Sequence, residues 1–198
     1  MMFSGAEIRN SVLGVWFLFK GNREGLRGFD VSFAGFWRSF LLVVPIAAPY
    51  LLITSAQLDV YLEEMADMPA GGVDLSLVAT LLMLALNWVA FPLVLAVLAA
   101  PLGIGNQFVR YIVVRNWVEM VAIMPVGVVA LIYKAGVFNS EGFAFLTLFA
   151  TGMTFFLRFR AAQIALETGI AFAAGIVAFD TMLSVVMEML AARVFAGG

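Results

Sequence analysis

Five long apolar stretches constrain the fold of this chain more than any other feature. Each approaches or exceeds the roughly 20 residues that a helix needs to cross the hydrocarbon core of a bilayer. The chain is 64% hydrophobic and 12% charged, whereas a soluble domain has about 45–50% apolar and about 25% charged residues. We therefore predict an all-α, polytopic transmembrane helix bundle. The five predicted spans are about 33–58, 75–102, 108–133, 142–159 and 170–195.

The region before the first span is predicted to be a separate N-terminal unit, residues 1–31, followed by a single transmembrane domain, residues 32–198. Ser4-Gly5-Ala6-Glu7 fits a capping box, and Gly21-Asn22 is a stop signal. We expect an amphipathic helix in the membrane interface. The alternative is a helix on the soluble side that packs on the bundle. We expect Trp16 and Phe19 to face lipid. We expect Arg9 and Lys20 to face water.

The first span carries the clearest signals for irregular helix geometry. Pro45 and Pro49 lie inside it, one turn apart, and we expect a kink there. The helix is expected to continue into water through 59–67 until the segment 69–72, Pro-Ala-Gly-Gly, turns the chain. The acidic residues of 59–67 either hold a loose divalent cation or form an acidic surface face.

The distribution of cations predicts the orientation of the spans. Nine of the 11 Lys and Arg residues fall on one side if the five spans are threaded in order, and such an excess marks the cytoplasmic side. We therefore expect a multi-pass protein of the bacterial inner (cytoplasmic) membrane, with a cytoplasmic N-terminus and a periplasmic C-terminus. The nine are Arg9, Lys20, Arg23, Arg27, Arg38, Arg110, Arg115, Arg158 and Arg160.

The composition argues against several kinds of chemistry. The chain has neither cysteine nor histidine, which excludes thiolate and imidazole metal sites, cysteine nucleophiles and the Ser-His catalytic pair. The formal net charge is −2, so no nucleic-acid footprint is present. We predict no enzymatic activity, no cofactor and no metal site.

Ionisable residues inside the predicted spans are the main candidates for function. A charge at the bilayer centre costs about 2.5 to 3.5 kcal/mol on insertion scales, so such residues indicate either function or internal pairing. The three acidic ones are Glu119, Asp180 and Glu188.

Arg115 and Glu119 are four residues apart and share one face of the third span, with Asn116 beside them. They can form a pair within the helix, and near its cytoplasmic end both can reach the interface. The other interpretation is a polar cluster at the mouth of a pathway, or a lipid-phosphate site that includes Arg110.

Asp180, Ser184 and Glu188 form a polar stripe along the fifth span. No lysine lies mid-span to neutralise Asp180, so it is either protonated or faces water or a polar partner. It suits proton or cation coupling, or it holds the bundle together by bonding to Asn87 or to a threonine of the fourth span. Asn87, in the middle of the second span, is expected to join helices or to contact a ligand.

Three short motifs carry a resemblance to known membrane proteins: Val15-Trp16-Phe17-Leu18-Phe19-Lys20-Gly21-Asn22, Gly35-Phe36-Trp37-Arg38-Ser39-Phe40 and Val114-Arg115-Asn116-Trp117. They resemble segments of small bacterial inner-membrane proteins, and the general plan resembles the Yip1-type membrane proteins. The resemblance implies a cytoplasmic N-terminus followed by five spans, and that family is associated with membrane trafficking and small GTPases.

Three functions remain open from the sequence. The first is a non-enzymatic scaffold, assembly factor or accessory subunit of a membrane complex, which predicts a dry bundle. The second is a small transporter or channel component, in which Asp180 and Asn87 line one hydrated cavity and Asp180→Asn abolishes flux without unfolding the protein. The third is a lipid-handling protein or scramblase, which needs the polar stripe to face lipid. The expected partners are the bilayer and other membrane proteins or further copies of the chain, not nucleic acid.

Overall fold

A computed structural model describes residues 3–65 and 76–196 of the chain, and this part folds into seven α-helices and one short 3-10 helix. Five segments, α2 with α3 and each of α4 to α7, are long and apolar enough to cross a membrane. The predicted all-α bundle of five spans is therefore confirmed. The helices are α1 Gly5–Phe19, α2 Phe33–Phe40, α3 Val43–Glu64, α4 Leu77–Leu98, α5 Phe108–Lys134, α6 Ser140–Ala165 and α7 Ile170–Ala196, and the 3-10 helix is Arg23–Gly28. The turn predicted at 69–72, the acidic residue Asp67 and the predicted start of the second span lie outside the described residues.

The first span is interrupted at Leu41 and Leu42, between α2 and α3 and ahead of both prolines, and the kink at the prolines stays a prediction. Pro45 lies in the first turn of α3, where a missing backbone N–H leaves no hydrogen bond unmade. At the interruption, the indole N–H of Trp88 on α4 donates to the carbonyl oxygen of Phe40 at 3.0 Å. The second span thus supplies a hydrogen-bond donor for a carbonyl group at the interruption of the first span.

The five spans close into a ring. Going round it, α3 contacts α4, α4 contacts α7, α7 contacts α6, α6 contacts α5, and α5 contacts α3 again. A glycine allows the last of these contacts, because a Cβ atom at Gly127 on α5 would lie only 2.9 Å from Cβ of Pro49 on α3. The ring therefore encloses an interior to which all five spans contribute.

Ion pairs join neighbouring elements at both ends of the ring. At one end, Arg110 at the start of α5 pairs with Glu167 in the α6–α7 loop at 3.0 Å. We call this the α1 end, because α1 packs against α5 and α6 there. At the other, the Lys134 end, Lys134 closes α5 and pairs with Asp59 near the end of α3.

The predicted N-terminal helix forms and packs on the bundle. Val15 and Leu18 are buried, and the hydroxyl of Ser11 donates to the carbonyl oxygen of Gly28 in the 3-10 helix at 3.1 Å. The opposite face carries exposed apolar side chains, among them Trp16 at 51% exposure. Packing on the bundle agrees with the second alternative, and placement in the membrane interface stays a prediction.

The predicted capping box of α1 forms only in part. Ser4 accepts a hydrogen bond from the backbone N–H of Glu7 at 3.1 Å. The carboxylate of Glu7 does not reach back to the helix start, since it accepts from the guanidinium of Arg38 on α2 at 3.2 Å. Glu7 thus ties the N-terminal unit to the first span.

Candidate functional site

A cavity of about 430 Å³ lies inside the ring. We call it the central cavity. All five spans line it, and each contributes at least one polar side chain. One such residue from each of α3 to α7 is Gln57, Asn87, Glu119, Arg158 and Glu188. Because polar side chains in a bilayer are costly unless they face protein or water, their convergence on one interior space makes this cavity the candidate site.

A buried ion pair forms the floor of the cavity. Arg115 on α5 lines the cavity and donates to both carboxylate oxygens of Asp180 on α7, at 3.0 and 2.9 Å. The two residues are only 7% and 4% exposed. Arg115 lies seven residues after the start of α5 and Asp180 ten residues after the start of α7, about 10 Å and 15 Å along their helices. The pair therefore crosses the ring interior well inside the spans.

A second ion pair adjoins the first. Arg158 on α6 donates to the carboxylate of Glu119 on α5 at 2.5 Å. The two pairs together form a layer of two cations and two anions, which we call the charged floor: Arg115, Asp180, Glu119 and Arg158. Its formal charges cancel, so four ionisable groups lie in the interior without net charge.

This layer corrects two expectations from the sequence and adds one residue to the interior. Arg115 does not pair with Glu119 on its own helix, because Asp180 offers its guanidinium a two-pronged contact across the ring. Asp180 does not bond to Asn87 or to a threonine of α6, and its polar partner is an arginine. Arg158 lines the cavity, and its predicted position on the cytoplasmic side stays a prediction.

Aromatic side chains fill the interior on the α1 side of the charged floor. The ring of Phe91 on α4 meets Tyr111 on α5 and Phe179 on α7, with centroid separations of 6.2 and 6.1 Å. The guanidinium of Arg115 lies over Phe91 at 4.7 Å from the ring centroid. The charged floor therefore rests on a packed aromatic layer, which closes the interior toward the α1 end.

The cavity opens on the opposite side of the floor. Gln57 on α3 and Glu188 on α7 line its part nearest the Lys134 end, and both are exposed. Ser184 lies one turn nearer the floor than Glu188 and also lines the cavity. The stripe predicted from Asp180, Ser184 and Glu188 thus runs from the floor to the mouth.

The structure brings most of the predicted residues together. Five of them line the central cavity: Arg115, Glu119, Asn87, Ser184 and Glu188. Asp180 does not line the cavity but pairs with Arg115, which does. Asn116 lies elsewhere. Its side-chain amide donates to the hydroxyl of Ser39 on α2 at 3.0 Å, in a fully buried contact. Asn116 therefore joins two helices and does not belong to the cavity.

The sequence interpretation missed Arg158 and its helix face. Thr147, Thr151, Thr154 and Arg158 recur at intervals of four, three and four residues, a spacing that places them on one face of a helix. A single threonine in a helix can bond to a carbonyl oxygen of its own backbone and then indicates no function. Taken as a stripe with Arg158, they indicate a second polar helix face opposite that of α7.

The fold and the site define the class of protein. Five apolar spans closed around a polar interior make the chain a multi-pass membrane protein. No family model matches the chain, and neither a curated protein nor a solved structure does. The Yip1-type resemblance therefore stays a prediction.

Proposed function

We propose that the protein is a small transporter, or the solute-binding component of one, and that a small polar solute enters the central cavity from the Lys134 end. The observation that supports this is the enclosure of a polar cavity by a ring of five spans. Its volume falls in the range of small-molecule sites, about 300–1,000 Å³.

The charged floor and the aromatic layer act as the closed gate in this proposal. A solute in the cavity has Arg115 beneath it, and beyond Arg115 lies Phe91. Passage to the α1 end requires the contact between α5 and α7 at Arg115 and Asp180 to open. Asp180 then acts by holding Arg115 in place, not by touching the solute.

The two other functions remain open but draw less support. A scaffold or accessory subunit has no use for a polar cavity, since helix packing alone is satisfied by apolar and small residues. A scramblase needs the polar stripe of α7 to face lipid, whereas Ser184 and Glu188 line the ring interior. Both remain predictions that the experiments below distinguish from transport.

Thiol labelling tests whether the cavity admits water, and from which side. The chain has no native cysteine, so Ser184→Cys introduces a single and nearly isosteric thiol into the cavity. Val186→Cys is the matched control, because Val186 is exposed on the outside of α7. We expect a membrane-impermeant maleimide to label only Ser184→Cys, and only from the Lys134 end. Equal labelling of the two variants, or none of Ser184→Cys, would overturn the proposal.

Flux through the protein is tested by blocking the cavity. Purified protein in liposomes is assayed for osmotic swelling with a panel of small neutral, cationic and anionic solutes. We expect protein-dependent swelling with at least one class, its loss in Ser184→Trp and its retention in Val186→Trp. Swelling that is unchanged in Ser184→Trp, or absent for every solute, would favour a scaffold.

A further inference from the structure

We infer that the central cavity takes a small monovalent organic cation that carries a hydroxyl group, an assignment that rests on the proposed function and names its solute class. The cavity volume of about 430 Å³ is that of a site for an organic molecule and exceeds what a bare ion fills. Charge, hydrogen-bonding capacity and aromatic lining each point to this class.

The charge of the cavity is negative. The charged floor is neutral as a whole, and Glu188 at the mouth adds one carboxylate. Within residues 3–65 and 76–196, Glu188 has no ion-pair partner, in contrast to Glu119 and Asp180. A cleft in low-dielectric surroundings with an excess of one charge concentrates solutes of the opposite charge. The mouth therefore favours cations.

Part of the cavity wall offers hydrogen-bond acceptors to the positive end of a solute. The hydroxyls of Thr154 and Thr181 donate to carbonyl oxygens of their own helices, both at 2.9 Å, so only their lone pairs remain for a solute. The side-chain oxygen of Asn87 and one carboxylate oxygen of Glu119 are buried and accept no hydrogen bond in the described part of the chain. These acceptors suit the positive end of a solute.

Aromatic side chains complete a surface for a cation. Tyr50, Trp88 and Phe155 line the cavity on α3, α4 and α6. Aromatic rings attract organic ammonium groups, and several rings around one site give the strongest attraction. Bare metal ions gain less from such a lining, because they must give up their hydration shell. The rings therefore favour an alkylated ammonium group.

Arg115 accounts for the hydroxyl group. One of its terminal nitrogens, Nη1, is buried without a hydrogen-bond partner among the described residues. Asp180 already neutralises the guanidinium, so an anion next to it would also face the carboxylates of the floor. The neutral hydroxyl oxygen of a solute can accept a hydrogen bond from Nη1 without that repulsion.

Choline and two relatives of the same size test the assignment. The first relative is the neutral isostere in which carbon replaces the ammonium nitrogen, and the second is glycine betaine, which keeps the cation but replaces the hydroxyl end by a carboxylate. Binding is measured by calorimetry on protein in maltoside micelles, which contain no choline headgroups. We expect choline to bind, and the neutral isostere and betaine to bind at least about tenfold more weakly.

Variants link the binding to the cavity. Glu188→Gln should weaken choline binding by about three- to tenfold at low salt and reduce its salt dependence. Glu64→Gln, an exposed carboxylate at the same end that does not line the cavity, should leave it unchanged. Ser184→Trp should abolish it.

The outcomes separate this inference from the proposed function. If the neutral isostere binds as tightly as choline and Ser184→Trp abolishes the binding, the cation assignment is wrong while the cavity remains a solute site. If betaine binds as tightly as choline under the same condition, the hydroxyl assignment is wrong and the cavity again remains a solute site. If none of the three binds but swelling persists with another solute class, the assignment again fails alone. If none binds and no solute causes swelling, both proposals fail.

Discussion

The two halves of the ring interior are built differently although the same five helices form them. On the α1 side of the charged floor, Phe91, Tyr111 and Leu95 are buried among apolar neighbours. On the Lys134 side, the same helices leave a cavity with polar walls. The hydrophobic effect does not separate the two halves, because lipid is as apolar as the packed side chains. The two halves differ because aromatic rings fill the half on the α1 side. The ion pairs of the charged floor divide it from the half that holds the cavity.

Removing one partner of the floor should have the largest effect on this division. Asp180→Asn leaves the guanidinium of Arg115 buried without its counter-charge, so we expect a loss of about 3–5 kcal/mol in the free energy of unfolding. Unfolding of the purified protein in mixed micelles of maltoside and dodecyl sulfate, followed by circular dichroism, measures the loss.

The double variant Arg115→Met/Asp180→Leu is the control for that change. It removes both charges and keeps apolar bulk, and replacing a whole buried ion pair is often neutral. We expect it to recover most of the stability lost in Asp180→Asn. An Asp180→Asn variant as stable as the parent would show that water or another group satisfies Arg115, and that the floor does not seal the interior. The sequence alone predicted that Asp180→Asn leaves folding intact. The pairing of Asp180 with Arg115 replaces that expectation by a loss of stability.

Equal truncations in the two halves should differ in cost. Leu95→Ala, at a fully buried position of the packed half, opens a new void and should cost about 2–3 kcal/mol, at the low end of the range for such changes. Ile123→Ala removes a comparable side chain that already borders the cavity, so it enlarges an existing space and should cost about half as much or less. The same unfolding assay compares them. Equal costs would mean that both halves are packed alike.

A smaller effect is expected where the ring closes between α3 and α5. Gly127→Ala brings a Cβ atom to 2.9 Å from Pro49, and the rigid proline ring cannot rotate away, so we expect a loss of about 1–3 kcal/mol. Gly152→Ala on α6 is the matched control, since nothing lies within 4 Å of its added Cβ atom. It should be neutral or slightly stabilising through helix propensity. If Gly127→Ala also widens the cavity, Ser184→Cys in that background should label faster.

The fold was more predictable from the sequence than the site, for a physical reason. Length and apolar composition determine which segments span a membrane, and four of the five predicted spans agree with α4 to α7 within a few residues at most of their ends. The α6 helix, which extends to Ala165, is the main difference. The break before α3 was not predicted, and the hydrogen bond that Phe40 accepts there comes from Trp88 on another helix, which no local pattern shows.

The partners of the polar residues depend on which helices are neighbours, and periodicity within one helix does not determine this. Asp180 and Arg115 are both visible in the sequence as intramembrane charges. Their contact requires α5 and α7 to face each other across the ring, an arrangement that depends on which helices each of them packs against. Asn116 is another residue whose partner the sequence does not determine. It directly follows Arg115 in the sequence, yet its side chain bonds to Ser39 on α2 and does not face the cavity.

The smallest expected effect lies outside the ring and shows whether the two halves are independent of the N-terminal unit. Arg38 pairs with Asp30 at 2.6 Å and with Glu7 on α1 at 3.2 Å. Hydrogen bonds from the side chain and backbone N–H of Ser32, together with the charge of Arg38, lower the pKa of Asp30 below its usual value. A lowered pKa means that the Asp30 carboxylate stabilises the fold above its unfolded pKa of about 3.9, and that this stability is lost as the pH falls through the folded value.

Asp30→Asn should therefore lower the melting temperature slightly at neutral pH, and its difference from the parent should shrink below about pH 4. Because Asp30 and Arg38 are each more than one-third exposed, we expect less than about 1 kcal/mol at neutral pH. Labelling of Ser184→Cys should be the same with and without Asp30→Asn. A change in that labelling would mean that the contact between Arg38 and the N-terminal unit reaches the cavity through α2 and α3, so that the two halves of the interior are not set by the ring alone.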